Sequence, residues 1–99
     1  MLRILASEQV QRWLAGLPPQ TKTRVRAALK SLAASGRELD IKALHCELEG
    51  FYRLRVGNYR LVYHLESHQT LCLDYADLRE VVYEAFRRLR ALSEQSRQE

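Results

Sequence analysis

The sequence predicts an α+β domain built from an N-terminal strand, a helical hairpin, a three-stranded antiparallel meander and a C-terminal helix. Two observations predict this class. Apolar residues recur at helical spacing in the first third of the chain and again near its end, whereas residues 51–76 are rich in aromatic and β-branched residues divided by short polar turns. The chain has 99 residues, and we expect one domain over residues 1–92 and a polar C-terminal tail over residues 93–99.

The first third of the chain is typical of a strand followed by two helices. Residues 2–6 are mostly apolar and predict a short strand, and Ser7 is a favoured N-cap for the helix after it. The proline pair at 18–19 ends that helix and starts a second one, because proline fits the first helical turn, where no amide donor is needed. Residues 34–36 are expected to close the second helix with a left-handed glycine. The two helices should form a hairpin.

The rest of the chain predicts a connector, the meander and the last helix. Residues 39–48 carry apolar side chains without a clear period, and we expect an irregular connector that tucks them under the sheet. Strands are predicted at residues 51–56, 59–66 and 70–76. The last helix is predicted at residues 78–92. The side chains that it should present to the core are Val82, Ala85, Phe86 and Leu89.

The pair Gly57-Asn58 fixes the register of the first hairpin. A two-residue turn of the primed type sets Arg55 opposite Arg60. Because side chains alternate along a strand, Arg53 lies on the same face, opposite Val62. Three arginines are therefore expected on one face of the sheet, while the other face is apolar and packs on the helices.

The second hairpin is placed by keeping its apolar residues on the helical side of the sheet. A three-residue loop at 67–69 does this, because a slip of one residue would move every side chain to the other face. This loop sets Leu61 opposite Tyr75, next to the pairs Tyr63 with Leu73 and Leu65 with Leu71. The residues then expected beside the arginines are His64, Cys72, Asp74 and Ala76.

The positive charge of the chain is carried mainly by arginine. The formal net charge is +4, with thirteen arginines and three lysines. A planar guanidinium matches two phosphate oxygens at once, so the arginine face suits a nucleic-acid backbone; a general preference for arginine codons would give the same composition. Like charges directly opposed, as at Arg55 and Arg60, disfavour the sheet unless an anion lies between them. Neutralisation by Asp74 or Glu66 is the alternative.

Several classes of protein and site are disfavoured. No apolar run approaches the length of a membrane span and the first six residues are too short for a signal peptide, so we expect a cytoplasmic protein with no membrane contact. His64, His68 and Cys72 recur at four-residue spacing, but the predicted loop places His68 away from the other two. We therefore predict no metal site.

Two segments resemble the RelE toxin family within the RelE/ParE superfamily. They are residues 48–63, LEGFYRLRVGNYRLVY, and residues 79–83, REVVY. The family has the element order deduced above. The resemblance implies the toxin of a type II toxin–antitoxin system, a ribosome-dependent endoribonuclease that cleaves mRNA with no metal or cofactor, because the RNA 2′-hydroxyl attacks the adjacent phosphate. It also implies three partners: a cognate antitoxin, the ribosome and mRNA.

The resemblance also implies roles for individual residues. Arg60 matches the arginine that stabilises the phosphate, and Tyr83 matches a tyrosine that stacks on a base or assists proton transfer; a half-buried helix aromatic is the plain alternative for Tyr83. Arg79, one helical turn earlier, is a candidate contact to the leaving group. The candidate catalytic residues are thus Arg60, Arg79 and Tyr83, and the candidate RNA-binding residues are Arg53, Arg55 and His64.

Two departures from the family pattern keep other functions open. Asp77 stands where some members have an arginine used in acid catalysis, and Arg53 and Arg55 stand where the family often has lysines, although a guanidinium does not deprotonate in proteins. Both departures favour a ParE-like, non-catalytic inhibitor of DNA gyrase. Some relatives use a glutamate instead, and Lys42 falls near that position. A non-toxic RNA-binding relative is a third possibility.

Overall fold

The computed structural model describes residues 1–34, 38–78 and 81–98. Its strands and helices follow one another as β1 (Arg3–Ala6), α1 (Glu8–Ala15), α2 (Pro19–Ala34), β2 (Asp40–Ala43), a single 3-10 turn (Cys46–Leu48), β3 (Phe51–Val56), β4 (Tyr59–Leu65), β5 (Thr70–Leu78) and α3 (Val81–Gln98). The predicted α+β class is confirmed. Among the described residues, no helix is both long and apolar enough to span a membrane.

The five strands form one sheet in the order β1-β5-β4-β3-β2. Strand β1 pairs with β5 in parallel, whereas the remaining neighbours are antiparallel, so the predicted meander is the centre of a larger sheet. The prediction of an irregular connector over residues 39–48 is wrong at β2. These residues form a strand there, in which Ile41 lies opposite Leu54 of β3. Four residues with three exposed side chains carry too weak a pattern to be recognised alone. The strand forms because β3 offers it a free edge.

Ser7 caps α1 as predicted and also ties that helix to the sheet. Its side-chain oxygen accepts a hydrogen bond from the Val10 amide at 3.2 Å, and its hydroxyl donates to the Asp74 carbonyl at 2.9 Å. The residues predicted to cap α2, Ser35 and Gly36, lie outside the described residues.

The main core lies between the helical hairpin and one face of the sheet. Its buried members are Val10, Val25, Leu32, Leu54, Val56, Leu61, Tyr63, Leu71, Leu73 and Ala76. Burial raises the pKa of Tyr63 to about 12, so this phenol stays neutral at physiological pH.

The register of the first hairpin is confirmed, but that of the second is only partly so. Arg55 faces Arg60 and Arg53 faces Val62 as predicted. The predicted pairing of Leu61 with Tyr75 is wrong, because the ladder between β4 and β5 shifts by one residue beside Val62 and Tyr63. Asp74 is the extra residue of this bulge.

The bulge exchanges the faces of two residues. Ala76, expected beside the arginines, is fully buried in the main core, while Tyr75 turns to the opposite face. Two contacts explain the shift. The Gln9 side chain accepts a hydrogen bond from the Ala76 amide at 2.8 Å and donates one to the Ala76 carbonyl at 2.6 Å. The Tyr75 ring packs on the Phe86 ring, with 6.3 Å between the centroids.

Helix α3 covers part of the face that carries the arginines. Its Phe86 is buried with Val62 and Leu48 in a second, smaller core, which Tyr83 and Tyr75 border. The prediction that Leu89 packs in the core is wrong, since half of it is exposed, and the Val82 side chain is not among those described. The helix runs to Gln98, past the predicted end at residue 92. One part of the arginine face therefore remains open, beside the first turns of α3.

Replacing Leu54 with alanine should cost about 2–5 kcal/mol of the free energy of unfolding, because it leaves a cavity in the centre of the main core. Leu54 is 0% exposed. The matched control is Leu65→Ala, at a β4 side chain that is 51% exposed and should cost less than about 1 kcal/mol. Urea unfolding of both variants measures the difference. Equal midpoints would contradict the assignment of Leu54 to the core.

Candidate functional site

A cavity of about 380 Å³ opens on the arginine face where β2, the 3-10 turn and α3 meet the centre of the sheet. The side chains and backbone that line it belong to Lys42, Ala43, Leu44, His45, Leu48, Arg53, Arg60, Tyr83 and Arg87. Four of these residues are cationic, and no described carboxylate is among them. The cavity therefore suits an anion.

Arg53 lines this cavity, and its guanidinium is oriented by an acidic side chain. Strand β2 pairs with β3 so that Lys42 lies opposite Arg53 and Asp40 lies opposite Arg55, and the Arg53 Nη2 donates diagonally to the Asp40 carboxylate at 2.5 Å. The side chain is only 16% exposed, and its buried Nε has no hydrogen-bond partner among the described residues. A buried donor without a partner is costly, so this Nε is a group whose hydrogen bonding the described residues leave unsatisfied.

Arg60 brings a second guanidinium whose charge is not compensated by any carboxylate that the structure describes. Its Nη1 donates only to backbone carbonyls, those of Gly57 at 3.3 Å and Tyr59 at 3.2 Å. Asp77 lies opposite Arg60 on β5, but its carboxylate accepts a hydrogen bond from the Leu78 amide at 2.8 Å and makes no ion pair with Arg60. No described carboxylate lies within ion-pair distance of Arg60, so its charge remains available to an anion.

Tyr83 and Arg87 reach the cavity from α3. Tyr83 is half-buried and borders the second core, so it is both a packing residue and part of the cavity wall. The Arg87 Nε lies 3.8 Å from the Glu47 carboxylate. Two further arginines of α3 have intramolecular contacts: Arg88 pairs with Glu84 at 2.9 Å, and Arg90 donates to the Glu47 carbonyl and lies over the Phe51 ring.

Two predicted site residues lie elsewhere. Arg55 is half exposed, 3.8 Å from the Asp40 carboxylate, and outside the cavity lining. His64 lies at the far end of β4, where its Nδ1 is 2.6 Å from the Asp74 carboxylate. Burial raises the pKa of Asp74 and the His64 contact opposes this shift. The structure thus brings together Arg53, Arg60 and Tyr83 but not Arg55 or His64, and Arg79 lies outside the described residues.

The arginines are not neutralised in the way that the sequence suggested. Asp74 contacts His64, and Glu66 accepts a hydrogen bond from the Cys72 thiol at 3.4 Å, so neither reaches the arginine pair. Within the described part of the chain, Asp40 is the carboxylate that contacts Arg53 and Arg55, and it makes no ion pair with Arg60.

Three cationic or titratable lining residues were not predicted as site residues: Lys42, His45 and Arg87. Lys42 and His45 belong to the segment predicted as a connector; the pairing of β2 with β3 places Lys42 opposite Arg53, and His45 follows two residues after that strand. The alternation of Asp40, Ile41 and Lys42 was the one available indication. Within the described residues, no group of His, Cys, Asp and Glu side chains is arranged to hold a metal ion.

Solved structures similar to this chain include three bacterial and archaeal toxin–antitoxin complexes. The RelBE2 complex of Mycobacterium tuberculosis matches with 28% identity and a TM-score of 0.67 over 79% of this chain and 98% of that chain. The RelB–RelE complex of Methanococcus jannaschii matches with 22% identity and a TM-score of 0.65 over 83% of this chain and 98% of that chain. The YoeB–YefM complex of Staphylococcus aureus matches with 20% identity and a TM-score of 0.62 over 80% of this chain and 98% of that chain. These likenesses agree with the predicted RelE-like fold.

No curated protein sequence matches the chain at a significant level. A family model does match, over residues 2–74, and it describes the ParE toxin of the type II toxin–antitoxin system parDE. The match spans most of the fold, from β1 to the bulge in β5. The chain therefore belongs to the ParE toxin family of type II toxin–antitoxin systems, within the RelE/ParE superfamily.

Proposed function

We propose that the chain is a ribosome-dependent endoribonuclease that cleaves mRNA and so inhibits translation. The observation that carries this proposal is the convergence of Arg53, Arg60 and Tyr83 on one cationic cavity without a carboxylate among its described lining side chains. A gyrase poison needs a binding surface, whereas this is a concave site with anion-binding groups on several walls. Such a site suits one phosphodiester and the bases on either side of it.

The chemistry requires little beyond what these side chains offer. RNA supplies its own nucleophile: the 2′-hydroxyl attacks the adjacent phosphorus, the 5′-oxygen leaves, and a 2′,3′-cyclic phosphate remains. The negative charge on the phosphate grows during the attack. Guanidinium groups held in place before the reaction stabilise this charge more than they stabilise the substrate. Arg53 and Arg60 are held in this way, one by Asp40 and the other by backbone carbonyls.

The coverage of the sheet by α3 is compatible with this proposal. The helix buries Val62 and Phe86 but leaves Arg53 and Arg60 on the cavity wall, so an RNA backbone can approach beside its first turns. Tyr83 lies on that route and offers a ring face for a base and a hydroxyl for a proton. The roles of Arg55, His64 and Arg79 stay predictions, and their positions make Arg55 and His64 peripheral contacts at most.

Primer extension on a translated message tests the proposal. Purified protein added to a translating extract should produce new 5′ ends within the coding region, and an inhibitor of initiation should abolish them. Intact transcripts at doses that stop growth would contradict the proposal. Cleavage of naked RNA at the same rate would remove the dependence on the ribosome.

The membership in the ParE family favours one second candidate, a non-catalytic inhibitor of DNA gyrase. Asp77, in place of an arginine used in acid catalysis by some relatives, points in the same direction. A supercoiling assay with purified gyrase separates the two functions, because only this candidate predicts inhibited or trapped gyrase. Messages would then stay uncut.

A cognate antitoxin is the further partner that we propose. The 28% identical structure was solved as a toxin–antitoxin complex, and the net charge of +4 suits a partner with an acidic segment. The proposed action on translating ribosomes places the protein in the cytoplasm. A short neighbouring gene that encodes an acidic, DNA-binding protein would support this partner.

A further inference from the structure

We propose that His45 is the catalytic base that removes the proton from the attacking 2′-hydroxyl. This inference rests on the proposed ribonuclease function. His45 belongs to the wall of the same cavity as Arg53, Arg60 and Tyr83, and its side chain is exposed.

The other described side chains of the cavity cannot easily accept a proton. Arginine does not deprotonate in proteins, a lysine ammonium has no lone pair, and a phenol is a donor at neutral pH. Two described carboxylates lie outside the lining and face arginines: Asp40 contacts Arg53 at 2.5 Å, and Glu47 lies 3.8 Å from Arg87. Imidazole is the side chain that both accepts and donates a proton near neutrality. By elimination, the acceptor among these groups is His45.

The backbone on both sides of His45 is anchored. Before it, the Leu44 amide donates to the Phe51 carbonyl at 2.9 Å, which extends the edge of the sheet. After it, the Leu48 amide donates to the His45 carbonyl at 3.1 Å, and Leu48 is buried in the second core. Cys46 turns the chain sharply with a φ of 58°, a left-handed conformation that non-glycine residues rarely adopt. An anchored turn therefore holds the exposed residue His45 at the wall of the cavity.

Every element around the cavity contributes a charged or titratable group near His45. They are Lys42 from β2, Arg53 from β3, Arg60 from β4, Tyr83 and Arg87 from α3, and Glu47 from the turn itself. Because cations dominate, the cavity attracts the phosphate and concentrates it beside the imidazole.

The proposed step moves one proton to His45 and one proton from Tyr83. The 2′-hydroxyl proton moves to an imidazole nitrogen of His45 while the 2′-oxygen forms a bond to phosphorus. The bond from phosphorus to the 5′-oxygen breaks, and its electron pair leaves with that oxygen, which takes a proton from the Tyr83 hydroxyl. The products are a 2′,3′-cyclic phosphate and a 5′-hydroxyl end. Arg53 and Arg60 hold the non-bridging oxygens throughout.

The test compares His45→Gln with His68→Gln on ribosomes programmed with a short synthetic mRNA. His68 is exposed between β4 and β5 and borders a different depression, so it is a matched control. Single-turnover cleavage should fall about 10²-fold in His45→Gln and stay unchanged in His68→Gln. In the wild type, the rate should fall as the pH drops, because a protonated imidazole cannot accept a proton. This acidic limb should disappear in His45→Gln.

A second substrate distinguishes a base from an acid. In this substrate, sulfur replaces the bridging 5′-oxygen and leaves as a thiolate without a proton. Cleavage then needs no general acid, but it still needs a base for the 2′-hydroxyl. The defect of His45→Gln should therefore persist with this substrate; rescue would overturn the proposal. Retention of the wild-type rate and acidic limb by His45→Gln and His45→Asn would also overturn it. Failure of the wild type to cleave any message would instead reject the proposed function.

Discussion

Replacing Arg60 with alanine should lower the single-turnover rate of mRNA cleavage on the ribosome by about 10²–10³-fold. Arg60 lines the cavity, and its guanidinium is held by the carbonyls of Gly57 and Tyr59 with no described carboxylate within ion-pair distance. Its charge is therefore fixed in place before the phosphate arrives. Loss of such a group raises the energy of the transition state more than that of the bound substrate, so kcat should fall more than the affinity for the ribosome.

Arg55→Ala is the matched control for this experiment. Arg55 faces Arg60 across the same hairpin, but it is half exposed, contacts Asp40 and lies outside the cavity lining. We expect a change of less than about threefold, because an exposed ion pair contributes little. Arg60→Lys should recover part of the lost rate, since it keeps the charge but not the two-pronged geometry. Equal defects in Arg55→Ala and Arg60→Ala would show that the hairpin acts through net charge alone.

The Arg60 variant should not lose activity through unfolding. Arg55 and Arg60 are directly opposed like charges, so removing one of them relieves a repulsion of a few tenths of a kcal/mol. Thermal unfolding should show a melting temperature equal to or slightly above that of the wild type. A marked decrease would mean that the Arg60 contacts to Gly57 and Tyr59 support the turn itself.

The part of the fold that could be predicted from the sequence is the part set by local chemistry. Gly57-Asn58 fixes a two-residue turn, and the alternation of side chains then determines that Arg55 faces Arg60. Ser7 caps α1 because its side chain meets an amide only three residues away. In both cases the interacting groups are near neighbours in the chain.

The part that could not be predicted depends on contacts between distant residues. The bulge at Asp74 is supported by Gln9, which bonds both backbone groups of Ala76, and by the packing of Tyr75 on Phe86. The sequence pattern around residue 74 gives no indication of these contacts. The wrong placement of Ala76 beside the arginines followed from reading the hairpin in isolation.

The candidate site divides in the same way. Arg53 and Arg60 share a face because of a local turn, so the sequence could place them together. Lys42 and His45 join them only because β2 adds to the edge of β3, and Arg87 joins them because α3 crosses the sheet beside that edge. Such positions depend on the tertiary arrangement, which a short polar segment does not specify on its own.

Replacing Tyr83 with phenylalanine should lower the cleavage rate by about 10²-fold while leaving ribosome binding unchanged. The ring borders the second core beside Phe86 and Val62, and phenylalanine preserves that packing. Only the hydroxyl is lost. Because the arginines and Lys42 that share the cavity are needed as charges, the phenol is the neutral donor best able to protonate the leaving 5′-oxygen.

The substrate with sulfur at the bridging 5′ position makes this prediction specific. A thiolate leaves without a proton, so Tyr83→Phe should regain a rate close to that of the wild type on this substrate, whereas Arg60→Ala should not. Tyr83→Ala loses the ring as well as the hydroxyl, and its additional defect on the same substrate measures the contribution of packing and base stacking. If Tyr83→Phe cleaves the ordinary message at the wild-type rate, the hydroxyl plays no part in proton transfer, and Tyr83 acts through its ring alone.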